Sequence, residues 1–291
     1  MGSVALTWRT SREASTLCDD TLALTGRPFA VNYVLAWPQR DRVALALDAG
    51  IRIVWTAWGS PEPHVAEVHS AGGILLHTVG SLEEARTAVD AGVDVLVVQG
   101  VEAGGHVRGR HPARELLRQV RDILPAVPAA VAGGIATGAH VAGALTDGAA
   151  GVVLGTRFVC SREANVAPLY QQAILAASVG DTLLTELFDK GWPGAPHRVL
   201  RNSTVRRWAA AGYPAAGSRP GERDVVAHTR EGAPVERYSD VIPTGDMTGD
   251  LEALPLYAGE SSAFVDDILP AAEIVQRLVH DAADSLQGIG S

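Results

Sequence analysis

The chain has 291 residues, of which 47% are apolar, and it carries a net charge of −9. That is enough apolar material for a large core, and no apolar run reaches the roughly 18 residues of a membrane span. An acidic, aromatic-poor composition with Lys190 as the sole lysine argues against a general nucleic-acid binder and against Schiff-base or Walker-type lysine chemistry. The N-terminus lacks the basic-then-apolar pattern of a secretory signal, so a cytoplasmic location is the default expectation. Cys18 and Cys160 are too far apart in sequence to match a metal or redox spacing, and no metal site is expected.

In chain order, seven strands are predicted, over residues 4–6, 29–35, 51–58, 74–79, 94–99, 129–132 and 151–154. Helices fall between them. Three phrases repeat the same local logic, around Asp48-Ala49-Gly50, Asp90-Ala91-Gly92 and Asp147-Gly148. In each, an Ala-rich helix closes on a glycine, which takes a left-handed cap without a Cβ penalty, and a buried strand follows at once. Ser81 begins a helix in the manner of a capping box, with Glu83 and Glu84 in its first turn. This is the half-unit of a parallel (β/α) barrel, an α/β TIM-like fold with seven of its eight strands visible. Residues 1–162 are assigned to that barrel and 163–291 to a C-terminal helical extension packed on it. Within the extension, 164–190 read as helical, 191–250 as irregular and 262–287 as a pair of amphipathic helices. The extension reads as a cap over the barrel mouth or as a contact in a homo-oligomer.

Three consecutive strands run into glycine-rich segments, at Gln99-Gly100-Val101-Glu102-Ala103-Gly104-Gly105-His106, Ala132-Gly133-Gly134 and Leu154-Gly155-Thr156-Arg157. In a barrel, the loops at the C-terminal ends of the strands build the active site. His106 titrates near neutrality and can act as base, acid or polar binder; the plain alternative is a surface-loop histidine. Glu102 reads as a second acid or as a capping or Arg-pairing group. The glycine pair Gly133 and Gly134, with Gly155 and Thr156 one βα unit later, suits a phosphate held by backbone N–H groups, against the alternative of simple tight turns. Arg157 reads as a helper there or as the partner of a carboxylate. Asn32 and Gln99 sit near the ends of apolar strands, where they serve either the edge of a planar heterocycle or the loop backbone. Trp55, Trp58, His77 and Thr78 close the neighbouring strands with the same ambiguity.

At these residues the chain resembles the nitronate monooxygenase family, also called 2-nitropropane dioxygenases. The resemblance rests on the three glycine-rich segments in order, on Arg27-Pro28-Phe29-Ala30-Val31-Asn32, on Leu200-Arg201-Asn202 and on Tyr257-Ala258-Gly259-Glu260-Ser261. It implies a barrel that holds FMN non-covalently. By position, Gly133, Gly134, Gly155 and Thr156 would bind the phosphate, and Asn32, Gln99 and Gly104 would contact the rest of the cofactor. His106 falls where the family places its active-site histidine. The implied reaction oxidises an alkyl nitronate or nitroalkane with oxygen to a carbonyl compound and nitrite. Family members begin with a strand ending in Met, whereas residues 2–6 here resemble the family's second strand. The family's first strand is thus expected to have no counterpart.

Three further readings follow. The same architecture supports FMN-dependent NAD(P)H:quinone or enoyl-thioester reductases, although the glycine-rich loops lack Rossmann spacing. Without the first strand, a non-catalytic barrel is the alternative of a different class. A flavin-free phosphate-binding isomerase is a third.

Overall fold

The computed structural model describes residues 1–289. Seven strands form one sheet in chain order: Ser3–Ala5, Ala30–Val34, Ile53–Ala57, Ile74–Val79, Val95–Gln99, Ala129–Ala132 and Gly151–Val153. All seven match the strands expected from sequence, within two residues at each end. The pairings from the first strand through the fifth are parallel. Each connection up to Val95 carries one helix: Ser11–Leu24, Arg40–Asp48, Glu62–Ser70 and Leu82–Ala91. Parallel strands need such crossovers, and a chain-order arrangement is what successive right-handed βαβ units give.

The local signals act as anticipated. Gly50, Gly92 and Gly148 have φ of 93°, 99° and 90°, the left-handed conformation that lets each helix end and the next strand begin. Ser81 caps its helix by accepting a hydrogen bond from the Glu84 amide at 3.1 Å. The Glu84 carboxylate reaches one residue further back than in a regular capping box, accepting from the Gly80 amide at 2.7 Å.

By contacts along the chain, the molecule divides into two compact units. One comprises Met1–Gln99, Arg108–Val131 and Asp147–Gly151; the other comprises Gly100–Val107, Ala132–Thr146 and Val152–Ser291. The first unit is the sheet with its helices, packed around fully buried residues such as Leu6, Tyr33, Leu75, Leu96 and Leu117. In the second unit, Gly105–His106 pairs antiparallel with His197–Leu200, which pairs in turn with Thr182–Thr185. A separate three-stranded sheet holds Val225–His228 between Pro234–Glu236 and Thr248–Gly249.

The C-terminal region departs from its sequence reading. Within 164–190 only Pro168–Leu175 is helical, and Thr182–Thr185 is a strand. Gly180, at φ 91°, turns the chain, and pairing with His197–Leu200 overrides local helix propensity. Residues 191–250 contain four strands and the helix Ser203–Ala210, capped by Asn202 through the Val205 amide at 3.0 Å. The expected helix pair is a single helix, Ala271–Ile289, preceded by a 3-10 turn at Glu260–Phe264. Pro270 accounts for that boundary, since its ring cannot continue a helix that came from before it. No helix among the described residues is long and apolar enough to cross a membrane.

Candidate active site

The first unit carries the strand-end residues. Asn32 and Trp55 stand opposite one another in register, and the Asn32 amide nitrogen donates to the Trp55 carbonyl at 3.4 Å. The Trp55 indole N–H donates to the Thr78 hydroxyl at 2.8 Å. Period-two alternation therefore puts Asn32 and Trp55 on one face, away from the neighbours Val31 and Val54, which are fully buried. The Gln99 side-chain oxygen accepts from the Arg108 amide at 2.7 Å, so Gln99 does serve loop backbone.

At the ends of the third and fourth strands lies a pocket of about 520 Å³, lined among others by Trp58, His77, Thr78, Glu84 and Arg108. Trp58 has φ 63°, an uncommon conformation for a bulky residue. The Arg108 guanidinium lies 5.0 Å above its ring and pairs with Glu84. His77 shares a 2.8 Å hydrogen bond with Thr56, and burial pushes its pKa down to about 4.

The second unit carries the glycine-rich segments and His106. An added Cβ on Gly104 would lie 2.3 Å from the Gly259 nitrogen, so only glycine lets the chain cross the Ala258–Gly259 peptide. Gly133 and Gly134 have φ of 113° and 72°. Gly155 differs from Gly104: a Cβ there would meet nothing within 4 Å. Beside it, the Thr156 hydroxyl accepts from the Gly259 amide at 2.9 Å. A hydroxyl that accepts one bond still has its own proton to donate. Arg157 pairs with Asp267 and donates to the Asp267 carbonyl at 3.1 Å, the carboxylate-pairing alternative of the sequence reading. The main-chain carbonyl of Glu102 accepts from the Glu260 amide at 2.9 Å.

His106 sits among three rings. Trp192 stacks on it with centroids 4.3 Å apart and planes at 29°. His197 and Tyr257 stand at 5.4 Å and 5.5 Å. Burial, with a smaller contribution from His197, pushes the His106 pKa down to about 4, so the imidazole is neutral at physiological pH. His197 is fully buried; its Nδ1 lies 2.9 Å from the Ala195 carbonyl, and its Nε2 accepts from the Phe188 amide at 3.2 Å. The Ala195 carbonyl can only accept, which places the proton of His197 on Nδ1.

The structure thus places Gly104, Gly133, Thr156, the Tyr257–Ser261 segment and His106 within one unit, and Asn32 and Gln99 in the other. Sequence reasoning missed Trp192, His197 and Asp189. Asp189, within the stretch expected to be helical, lies in no helix and pairs with Arg219 at 2.9 Å. The one signal for Trp192 was a tryptophan inside Gly191-Trp192-Pro193-Gly194, a turn-forming sequence.

The sheet with its glycine-rich loops has the α/β fold of a class of flavin oxidoreductases, and the family match assigns the chain to that class. The profile of the nitronate monooxygenase family matches residues 14–281, and the chain belongs to that family. It is 29% identical to (3aS,4S,5R,7aS)-5-hydroxy-7a-methyl-1-oxo-octahydro-1H-indene-4-carboxyl-CoA dehydrogenase of Mycobacterium tuberculosis, over 99% of this chain and 87% of that protein. Among solved structures, the nitroalkane oxidase from Streptomyces ansochromogenes superposes with a TM-score of 0.79 at 25% identity, over 99% of this chain and 89% of the other. FabK from Thermotoga maritima gives 0.80 at 26% identity, over 98% and 85%.

Proposed function

We propose that this protein uses FMN to oxidise alkyl nitronates with oxygen, giving carbonyl compounds and nitrite. The observation that carries the reading is His106, enclosed by Trp192, His197 and Tyr257 and held neutral by burial. A neutral imidazole can take the α-proton of a nitroalkane or donate its N–H to a nitronate oxygen. Either role needs no change of protonation state before substrate arrives.

The residues fit the cofactor. Gly155 leaves open the space a side chain would take, and Thr156 keeps a hydroxyl proton to donate. In this reading Gly133, Gly134, Gly155 and Thr156 hold the phosphate, while Asn32, Gln99 and Gly104 contact the remainder of FMN. FMN held there would supply the electron acceptor for the nitronate, with oxygen as the final oxidant. The rings around His106 exclude water from its faces, and the Gly105–His106 pairing with His197 and Arg198 fixes its backbone. His106→Asn protein that binds FMN yet keeps full turnover would remove His106 from the reaction.

The thioester substrate of a second reading is favoured by the relative from Mycobacterium tuberculosis, which covers 99% of this chain and is named as a dehydrogenase of a carboxyl-CoA compound. That reading keeps the flavin and replaces the nitronate with a thioester, with NAD(P)H as electron source. Rapid anaerobic bleaching of bound FMN by NADH or NADPH would support it. Absence of bleaching, with nitrite released from a nitronate in air, would support the first reading.

A further inference from the structure

We propose that Trp192 is a positioning residue for His106, holding the plane of the imidazole by stacking and closing one of its two faces. The inference rests on the catalytic assignment of His106 made above. A strand of only two residues, Gly105–His106, fixes the backbone of His106 but not its side-chain torsions. The ring is therefore set by what surrounds it.

His197 and Tyr257 are anchored by their own hydrogen bonds. His197 is held at both nitrogens by Ala195 and Phe188. Tyr257 donates its hydroxyl to the Asp240 carbonyl at 3.3 Å, and its own carbonyl accepts from the Tyr170 hydroxyl. Both stand edge-on or tilted to His106, at 66° and 50°. Trp192 alone of the three lies nearly parallel to the imidazole, at 29° and 4.3 Å. An offset stack at that distance resists rotation of the ring and covers a face.

The loop that presents Trp192 is built for one conformation. The Lys190 amide donates to the Tyr238 carbonyl and the Asp240 amide to the Lys190 carbonyl, both at 3.1 Å, which ties the chain down just before the tryptophan. Gly191 follows at φ 123°, and a Cβ on it would lie 2.3 Å from the Asp240 carboxylate. Gly194 closes the loop at φ 70°. Two glycines in the left-handed region and a carboxylate packed against one of them make the placement of Trp192 a property of backbone geometry. Trp192 itself remains half-buried, so its indole is not simply filling a core.

Removing the indole admits water to one face of His106. Of the rings against the imidazole, His197 and Tyr257 are titratable, and burial holds both in their neutral forms; the Asp240 carboxylate faces Gly191. Hydration thus becomes the main change, and it raises the affinity of the imidazole for a proton. The lost contact with the indole π face acts in the opposite direction and is the smaller effect at a partly exposed site.

The test uses the full chain with FMN added and follows the His106 imidazole signal by NMR through a pH titration, assigned by its absence in His106→Asn. Trp192→Phe, which keeps a ring in the stack, should recover most of the titration behaviour and turnover that the alanine and leucine substitutions lose. Trp192→Ala and Trp192→Leu should titrate closer to the ordinary 6.5 and lose kcat by about tenfold to a hundredfold with little change in KM. The leucine variant retains volume if the alanine variant does not fold. Unchanged titration and kcat in Trp192→Leu would overturn the proposal. Full nitronate turnover by His106→Asn would instead overturn the catalytic assignment, and the titration would still decide the stack.

Discussion

The hydroxyl of Thr156 accepts a hydrogen bond from the backbone amide of Gly259 at 2.9 Å, joining residues 103 positions apart. One side chain thereby satisfies a buried amide of the Tyr257–Ser261 segment and keeps a proton to donate. Thr156 is only 7% exposed, so that bond is made where water does not compete well.

Thr156→Val should therefore act twice. It leaves the Gly259 amide unsatisfied, which costs about 1–3 kcal/mol, and it removes a donor from the proposed phosphate loop. The expected outcome is a lower melting temperature and FMN affinity weakened by about tenfold. Thr156→Ser should recover most of both. Calorimetry and fluorescence titration with FMN separate the two effects.

Gly104 and Gly155 should respond in opposite ways to the same substitution. In Gly104→Ala the methyl group would collide with the Ala258–Gly259 peptide, and overpacking of this kind costs about 1–3 kcal/mol or more. In Gly155→Ala the methyl meets no protein atom, so stability should change by less than about 0.5 kcal/mol while FMN binding weakens. Equal losses of melting temperature at the two positions would contradict this assignment.

The contrast between those two glycines marks how far the sequence could be read. Strand ends, helix caps at Gly50, Gly92 and Gly148, and the parallel order were legible because each is set by neighbours along the chain. Gly104 could be recognised as necessary, but not for its tertiary reason, since Ala258 and Gly259 are more than 150 residues away. The same holds for His106. Its family position marked it, but Trp192 and His197 reach it through pairing between Gly105–His106 and His197–Leu200, which leaves no local periodicity to find. The strand Thr182–Thr185 was mistaken for helix for that reason as well.

His106→Asn should retain FMN binding and lose turnover by about 10²–10⁴-fold, the usual contribution of a positioned acid–base group. Steady-state oxygen uptake on protein of matched flavin content measures it.

Acid should destabilise the fold well before its carboxylates are protonated. Burial depresses both His77 and His106 from 6.5 to about 4. Above pH 6.5 the folded and unfolded states are both neutral at these groups, and their contribution is fully present. As pH falls below that value the unfolded chain takes up protons first, and stability is lost progressively down to about pH 4. For His77, which is 5% exposed, the loss is about 3 kcal/mol. His77→Asn should flatten the pH dependence of urea unfolding across this window. An unchanged slope would show that His77 does not titrate there.

The most direct measurement is oxygen consumption by the FMN-loaded protein on addition of an alkyl nitronate, with nitrite assayed in the same sample. The account predicts oxygen uptake accompanied by nitrite and a carbonyl product, abolished in His106→Asn without loss of flavin. Fully flavin-loaded protein that consumes no oxygen and releases no nitrite would contradict it.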